Sequence, residues 1–356
     1  MGKKYSQFFQ MLLRRICNES GAYDNTSVSA ATTARIEKKF QDNLSKRSPV
    51  IMKFKSAQGM QVIGGGTELS FPVIVDAGNA QSYFGDDVLP IGRSTLRKLT
   101  FSWKQFASTV TIHGIEDVMN EGEEAAASVE DGRMEQAEIS TVNAFETMFG
   151  GDATGNVGTD GDARDWNGLQ NLVSDTPTVG TIGGLSRVSL VQVRNQVNAT
   201  SVTTFNTAQA GRSVMTTLYV NCCQGGRKPN FIPTTPAVWT LFELGLTLNE
   251  RVIIEGGKQS GQDAEMISAG IPNIGFMGAP VVFSDGIATA HMYMLRIAKP
   301  KTTGGIFMVV SRKRNFSMGK WIEPNDQDMR TMKILTAGQL CTDAPYLQGV
   351  ATTLTS

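Results

Sequence analysis

Apolar and polar positions alternate over Leu69, Phe71, Val73 and Val75. That two-residue period predicts a strand, and Pro72 inside it restricts the strand to a sheet edge or a bulge. The same period runs from Leu96 to His113, with Leu99, Phe101 and Trp103 on one face and Val110 and Ile112 on the other. A change of face needs a bulge or bend, which the spacing places near Ala107. With the loop-like residues 76–94 between them, the two strands predict an extended β-arm of about 40 residues with few buried side chains, too large to be stable on a small isolated domain.

After Gly114 the period lengthens. Met134, Ala137, Thr141, Phe145 and Met148 recur at steps of three and four and predict a helix over residues 123–149, ended by Gly150-Gly151. Its acidic first half suits the positive end of a helix dipole, and its length of about 40 Å exceeds what a compact domain needs. Residues 35–44 read as a short amphipathic helix, and the rest of the first 60 as an extended arm. Leu169 to Val173 form one short apolar turn in a loop-rich stretch. Leu185, Val188 and Val191 predict a further helix towards Val197. Leu218-Tyr219-Val220 and Phe231-Ile232 read as strands. Thr235 as N-cap and Pro236 at the first helical position open a helix through Val238, Leu241, Phe242 and Leu246. Strand-like runs follow over 277–283, 291–297, 306–310 and 329–340. Strands and helices mix without a βαβ rhythm, so the expected class is α+β.

Composition narrows the function classes. The chain has 356 residues, enough for about two domains and a real core. With 40% apolar and 19% charged residues it is globular. Two His leave little room for histidine chemistry, and His113 and His291, on strands, read as packed side chains. Cys17, Cys222-Cys223 and Cys341 form no C-x-x-C, which points to neither zinc nor a redox pair and fits reduced thiols in a cytosolic protein. Gly64-Gly65-Gly66 enters a strand and lacks the phosphate-loop spacing. There is no nucleophile elbow, no signal-peptide pattern and no apolar run of membrane-spanning length. No catalytic set, metal site or cofactor is expected.

Charge redirects the reading from chemistry to partners. The 33 basic and 33 acidic side chains cancel, which argues against a surface made for nucleic acid as a whole. They are nevertheless segregated. Residues 1–55 are basic, and Arg93, Arg97, Lys98 and Lys104 occur with no acid among them. Residues 116–138 carry Glu123, Glu124, Glu130 and Asp131 among nine acids against Arg133 alone. Such blocks are solvated faces when taken alone, or partners for each other within or between subunits. Arg312-Lys313-Arg314, with Phe316, Lys320 and Trp321, is either a solvated loop or a non-specific phosphate contact.

The order of these elements resembles the major capsid proteins of tailed bacteriophages, which have the Hong Kong 97-like fold. The resemblance is carried by Phe101-Ser102-Trp103-Lys104-Gln105-Phe106-Ala107 leading to Ile112-His113-Gly114-Ile115-Glu116, and by Asn120-Glu121-Gly122 before the long helix. It continues through Gly168-Leu169, Gly180-Thr181-Ile182-Gly183-Gly184-Leu185-Ser186-Arg187 with Arg194-Asn195, and Thr234-Thr235-Pro236-Ala237-Val238-Trp239. Gly278-Ala279-Pro280-Val281-Val282, Gly338-Gln339-Leu340-Cys341 and Pro345 close it. Each motif is weak alone. Their order holds over roughly residues 60–350.

The resemblance implies an N-terminal arm over 1–60, an extended E-loop over 61–113, and a P-domain with a long spine helix over 114–179. An A-domain follows over 180–305, and residues 306–356 return to the P-domain sheet. It implies a non-enzymatic subunit that self-assembles, as pentamers and hexamers, into an icosahedral virion shell around double-stranded DNA, in the cytoplasm of a bacterial host. A scaffolding or decoration protein is a further partner it admits, and no membrane is involved. On this reading Arg93, Arg97, Lys98 and Lys104 meet Glu123, Glu124, Glu130 and Asp131 of an adjacent subunit, and Lys38, Lys39, Lys46 and Arg47 face the DNA. An encapsulin-like nanocompartment shell is the alternative within the fold. A soluble α+β enzyme with an unrecognised site is the alternative outside it.

Overall fold

The computed structural model describes residues 49–75, 80–88, 95–119, 129–157, 163–199, 205, 208–245, 274–300 and 304–355. The expected helix over 35–44 and the N-terminal arm up to residue 48 lie outside these residues, and the last part of the arm, read as extended, instead folds as a helix over Pro49–Ser56, whose Val50 and Phe54 are buried in the core.

Helix α1 (Pro49–Ser56) leads into β1 (Met60–Ile63), then β2 (Leu69–Ile74), β3 (Leu96–Phe101) and β4 (Lys104–His113). A short helix α2 (Gly114–Met119), the long helix α3 (Val129–Gly150) and the single turn α4 (Leu169–Leu172) follow. Next come β5 (Thr181–Ile182), β6 (Leu185–Ser186), β7 (Gln196–Asn198), α5 (Ala208–Cys222), β8 (Ile232–Thr234) and α6 (Pro236–Gly245). The chain continues through β9 (Ile274–Phe276), β10 (Ala279–Phe283), β11 (Met292–Met294), β12 (Ile306–Ser311), β13 (Ser317–Met318), β14 (Met329–Thr342) and β15 (Gly349–Ala351). The class is α+β.

Among the described residues two main sheets form. The first runs β1-β12-β14-β13, with β4 also on β14; the second runs β7-β15-β11-β8-β10-β9. Strand β14 organises the first sheet. It pairs with β4 without interruption from Met329↔His113 to Gly338↔Lys104, and with β12 from Gly338↔Val310 to Thr342↔Ile306. Gly338 therefore has a strand on each side. A Cβ there would meet the Val309 carbonyl oxygen on one hand and the Trp166 ring, at 2.7 Å, on the other, so only glycine lets Trp166 lie on the sheet. Trp166 in turn packs edge-on to Phe145 of α3 at 5.4 Å.

The face of α3 read from the sequence is the buried one. Ala137, Thr141 and Phe145 are buried, and Val110, Met332 and Ile334 close a small core with Ala137. The helix spans 22 residues, about 33 Å at the helical rise. Its first expected residues, Glu123 and Glu124 included, lie outside the described residues. Its C-terminal end is fixed by a backbone contact: Gly150 and Gly286 abut so closely that a Cβ at Gly150 would overlap the Gly286 carbonyl oxygen. Beside them Ser284 donates to Glu146 Oε1 at 2.7 Å, tying the long helix to the second sheet.

Three local expectations change. The change of face in the arm sits at Ser102-Trp103, between β3 and β4, and not near Ala107, which pairs in register with Leu335. Two residues outside any strand flip the parity, so no bulge is needed. Leu218-Tyr219-Val220 is helical. Met215, Leu218, Tyr219 and Cys222 fall on one buried face at helical spacing, and Val220 points outward at 59% exposure. That longer period overrides the β-propensity of three residues. Residues 185–197 are β6, a 3-10 turn and β7 instead of a helix. Val188 and Val191 are exposed, so the apolar stripe has nothing to pack on. Arg194 instead donates to the Arg187 and Val188 carbonyls at 2.6 and 2.7 Å. The helix at Thr235-Pro236 forms as expected, with Val238 N donating to Thr235 Oγ1 at 3.4 Å. Met277 and Gly278, both at positive φ, make the two-residue hairpin turn from β9 to β10.

The Gly150–Gly286 contact gives a direct test. Gly150→Ala should lower stability by about 1–3 kcal/mol through overpacking, read as a lower urea midpoint with the slope unchanged.

Candidate assembly surfaces

The arm is a two-stranded ribbon, with β2 and β3 antiparallel from Leu69↔Phe101 to Ile74↔Leu96. Its base is anchored more firmly than the sequence suggests. Leu69, Phe71, Val75, Leu99 and Phe101 are all buried in the main core. Phe71 meets Phe307 of β12 edge-on at 4.8 Å, and Thr100 N donates to the Gly183 carbonyl of the β5–β6 hairpin at 2.9 Å. The outer part has no such cover. Ile74 is 75% exposed, Leu96 70%, Phe84 89% and Val88 90%. Phe84 is held out by a tight turn, in which its N–H donates to Asp87 Oδ2 at 2.9 Å and Asp87 N–H donates to its carbonyl at 3.2 Å. A hydrogen-bonded turn carrying bare apolar side chains makes this surface a candidate for interaction.

Arg97 and Lys98 lie side by side on β3, opposite Val73 and Pro72, and both are exposed. Lys104 starts β4 and donates to the Ala163 carbonyl. Arg93 lies outside the described residues, as do Lys38, Lys39, Lys46 and Arg47. On α3, Glu130 and Asp131 occupy the first turn. Glu130 is already engaged within the chain. It accepts from Trp321 Nε1 at 2.9 Å and pairs with Arg330 at 3.6 Å, while Arg330 stacks over the Trp321 ring at 5.2 Å. Arg133 pairs with Glu116 of α2 at 3.1 Å. The structure thus separates the exposed basic pair, Arg97 and Lys98, from charges with local partners. A cleft of about 410 Å³ between β4 and α3, lined by Val110, His113, Glu116, Arg133 and Gln136, lies on the same side of the sheet.

Solved structures share this arrangement. The capsid chain of the cyanophage A-1(L) asymmetric unit superposes with TM-score 0.63 at 14% identity, over 93% of this chain and 99% of that one. The capsid of a native GTA particle gives TM-score 0.63 at 8% identity, over 95% and 100%. The holo-SrpI encapsulin complex from Synechococcus elongatus PCC 7942 gives 0.57 at 9%, over 94% and 97%. The chain has the Hong Kong 97-like capsid fold. No family model matches it, and no curated protein matches it. The likeness lies in structure and not in sequence.

Cys222 and Cys341 are buried, and burial pushes both thiols well above their ordinary range, away from the reactive thiolate. Cys223 is exposed, and Cys17 lies outside the described residues. Among the described residues no group of three or more metal-ligating side chains comes together, and no helix is long and apolar enough to cross a membrane. Arg312, Lys313 and Arg314 form the exposed turn after β12, where Arg314 bonds to Gln105 of β4. His113 is exposed at the end of β4. His291, just before β11, has an oxygen at each ring nitrogen: Thr289 O at 2.6 Å and Asp175 Oδ2 at 2.9 Å. The Asp175 hydrogen bond, outweighing burial, raises its pKa above the ordinary 6.5. The imidazolium is the form that satisfies both acceptors.

Two measurements follow. Because the folded-state pKa of His291 is raised, its contribution is complete below about pH 6.5 and fades as pH climbs through the raised value. The wild-type melting temperature should therefore fall from pH 6 to pH 8 more steeply than that of His291→Gln, and parallel curves would show the pair to be inert. Trp321→Phe keeps the ring under Arg330 and removes the donor to Glu130. It should cost about 1 kcal/mol in chemical denaturation, whereas Trp321→Ala should cost more.

Proposed function

We propose that this chain is a major capsid protein that self-assembles into an icosahedral head enclosing packaged double-stranded DNA. The observation that carries the reading is the end-to-end match: cyanophage and GTA capsid chains superpose over 93–95% of this chain and 99–100% of their own length. No large region is left over for a separate activity, so the role assigned is structural and not enzymatic. On this reading the 1–60 segment is the N-terminal arm, and the 61–113 ribbon is the E-loop. The P-domain covers 114–179, its spine helix being α3. The A-domain covers 180–305, and 306–356 returns to the P-domain sheet. The exposed apolar residues of the ribbon tip are interface residues awaiting neighbours in pentamers and hexamers. Permanent interfaces of this kind bury about 2,000 Å² or more. Lys38, Lys39, Lys46 and Arg47 are assigned to the DNA side, and a scaffolding or decoration protein is an admissible further partner. The location that follows is the virion, with assembly in the host bacterial cytoplasm.

The encapsulin match favours a second reading, a nanocompartment shell with protein cargo. Electron micrographs of the purified protein, together with the ratio of absorbance at 260 and 280 nm after nuclease treatment, separate the two. Closed particles with protected DNA fit the head, closed particles holding protein fit the compartment, and a small oligomer under all conditions overturns both.

Charge sets register and partner choice between copies more than affinity. The exposed basic residues of the ribbon, Arg97 and Lys98 on its two faces, are assigned to acidic residues of neighbouring copies at and before the spine helix, Glu123, Glu124, Glu130 and Asp131. With Lys104 and Glu130 engaged locally, Arg97 and Lys98 carry most of that pairing. The double variant Arg97→Glu, Lys98→Glu should fold with an unchanged melting temperature and yield few closed particles by negative stain. Wild-type particle yields would remove the electrostatic assignment.

A further inference from the structure

One cleft of about 800 Å³ has no part in the β2–β3 pairing of the ribbon, in the long helix or in the strand pairing of either main sheet. It opens between the outer edge of β2 and the loops at one end of the second sheet. Pro72, Val73 and Val75 form one wall, and Arg227, Arg296 and Tyr346 form the other. The volume is within the range of ordinary ligand sites.

Within the polar wall Arg296 is ordered by neutral groups. Arg227 Nη1 donates to the Tyr346 hydroxyl at 2.9 Å. Arg296 Nε donates to the Gly304 carbonyl at 3.2 Å and its Nη1 to the Lys228 carbonyl at 2.8 Å. Among the described residues Arg296 Nη2 donates to no protein acceptor. The guanidinium is therefore fixed in place by backbone oxygens that hold its plane without cancelling its charge. Asp343 also lines the cleft, where its Oδ1 accepts from Gly305 N at 2.7 Å. Arg227 and Asp343 each make a further contact, so Arg296 is the group that decides the chemistry. Two guanidiniums face one carboxylate, leaving the wall net positive. Burial first, and the like charge of Arg227 second, hold the Arg296 pKa below its ordinary value, which marks a cation that an added anion would relieve.

We propose that this cleft binds an acidic polypeptide segment, with a carboxylate side chain on Arg296 and apolar side chains against the Pro72–Val75 wall. Two features favour a peptide over a duplex phosphate backbone. The site is concave, and its second wall is an apolar strand whose other edge is already taken by β3. A planar guanidinium with a free nitrogen matches a carboxylate. The assignment stands on the cleft alone and does not need the shell reading.

The test uses the purified full chain and an octapeptide of residues 81–88, Gln-Ser-Tyr-Phe-Gly-Asp-Asp-Val, which joins acidic and apolar side chains. Fluorescence anisotropy should show binding that weakens with salt. A peptide with Asn at both acidic positions, and the Arg296→Gln protein, should each bind about tenfold more weakly. Arg296→Lys, which keeps the charge, should fall between. If Arg296→Gln does not fold, the acid and amide peptides on wild-type protein decide alone. Equal affinity for the two peptides overturns the proposal. So does inorganic phosphate that binds as tightly as the acidic peptide.

Discussion

Strand β14 pairs along one backbone with β4, β12 and the short β13, and the rest of the molecule is arranged by how it satisfies the first two. Its first ten residues are zipped to β4 and its last five to β12, with Gly338 belonging to both ladders. Because β4 continues directly from the ribbon, the ladder fixes the direction in which the ribbon leaves the body. Because α3 packs on Val110, Met332 and Ile334 of the same two strands, the ladder also fixes the helix. Ribbon, helix and sheet thus share one register. A slip of one residue would turn Val110 and Ile112 to the wrong face and lift the helix from its seat. The missing side chain at Gly338 is what lets Trp166 lock this junction from above.

The two sheets share one apolar core, in which Tyr293 and Val350 of the second lie with Phe307, Val309 and Leu340 of the first, and close backbone contact and a buried hydrogen bond then tie the long helix to the second. Gly150 against Gly286, and Ser284 on Glu146, clamp the end of the long helix to the loop after β10. His291 on Asp175 adds a link from the segment after α4 to the start of β11. These contacts lie far from the ribbon tip. The subunit therefore has a firmly coupled centre and an outlying apolar surface, which is the distribution expected of a piece whose remaining burial lies on other copies.

Much of this was legible in the sequence where one period ran long enough to dominate. The alternations in 69–75 and 96–113, the three-and-four spacing from Met134 to Met148, and Thr235-Pro236 each identified the right element. The order of weak motifs identified the capsid fold that superposition shows. Reading failed where a short run was ambiguous. Leu218-Tyr219-Val220 is too brief to reveal that Met215 and Cys222 extend its stripe, and the Leu185–Val188–Val191 spacing says nothing about whether a surface exists to receive it. Charge was legible as blocks but not as pairs. That Trp321 and Arg330 hold Glu130 depends on β14 carrying residue 330 past the start of α3, a contact across nearly 200 residues. The cleft at Arg296 draws its walls from six separate stretches of chain and left no linear trace.

The ribbon's uneven burial has a kinetic consequence. Two-stranded ribbons are marginal on their own in water, and here only the base is held by the core. The bare apolar side chains Ile74, Phe84, Val88 and Leu96 are covered only as neighbours arrive, and the first few contacts bury little of them. Once several copies have met, each new one meets more of this surface at once and gains more. Growth of any assembly built on this ribbon should accordingly show a lag and a threshold concentration. Below that threshold the subunits stay apart, despite a net charge of zero that offers no long-range repulsion to separate them.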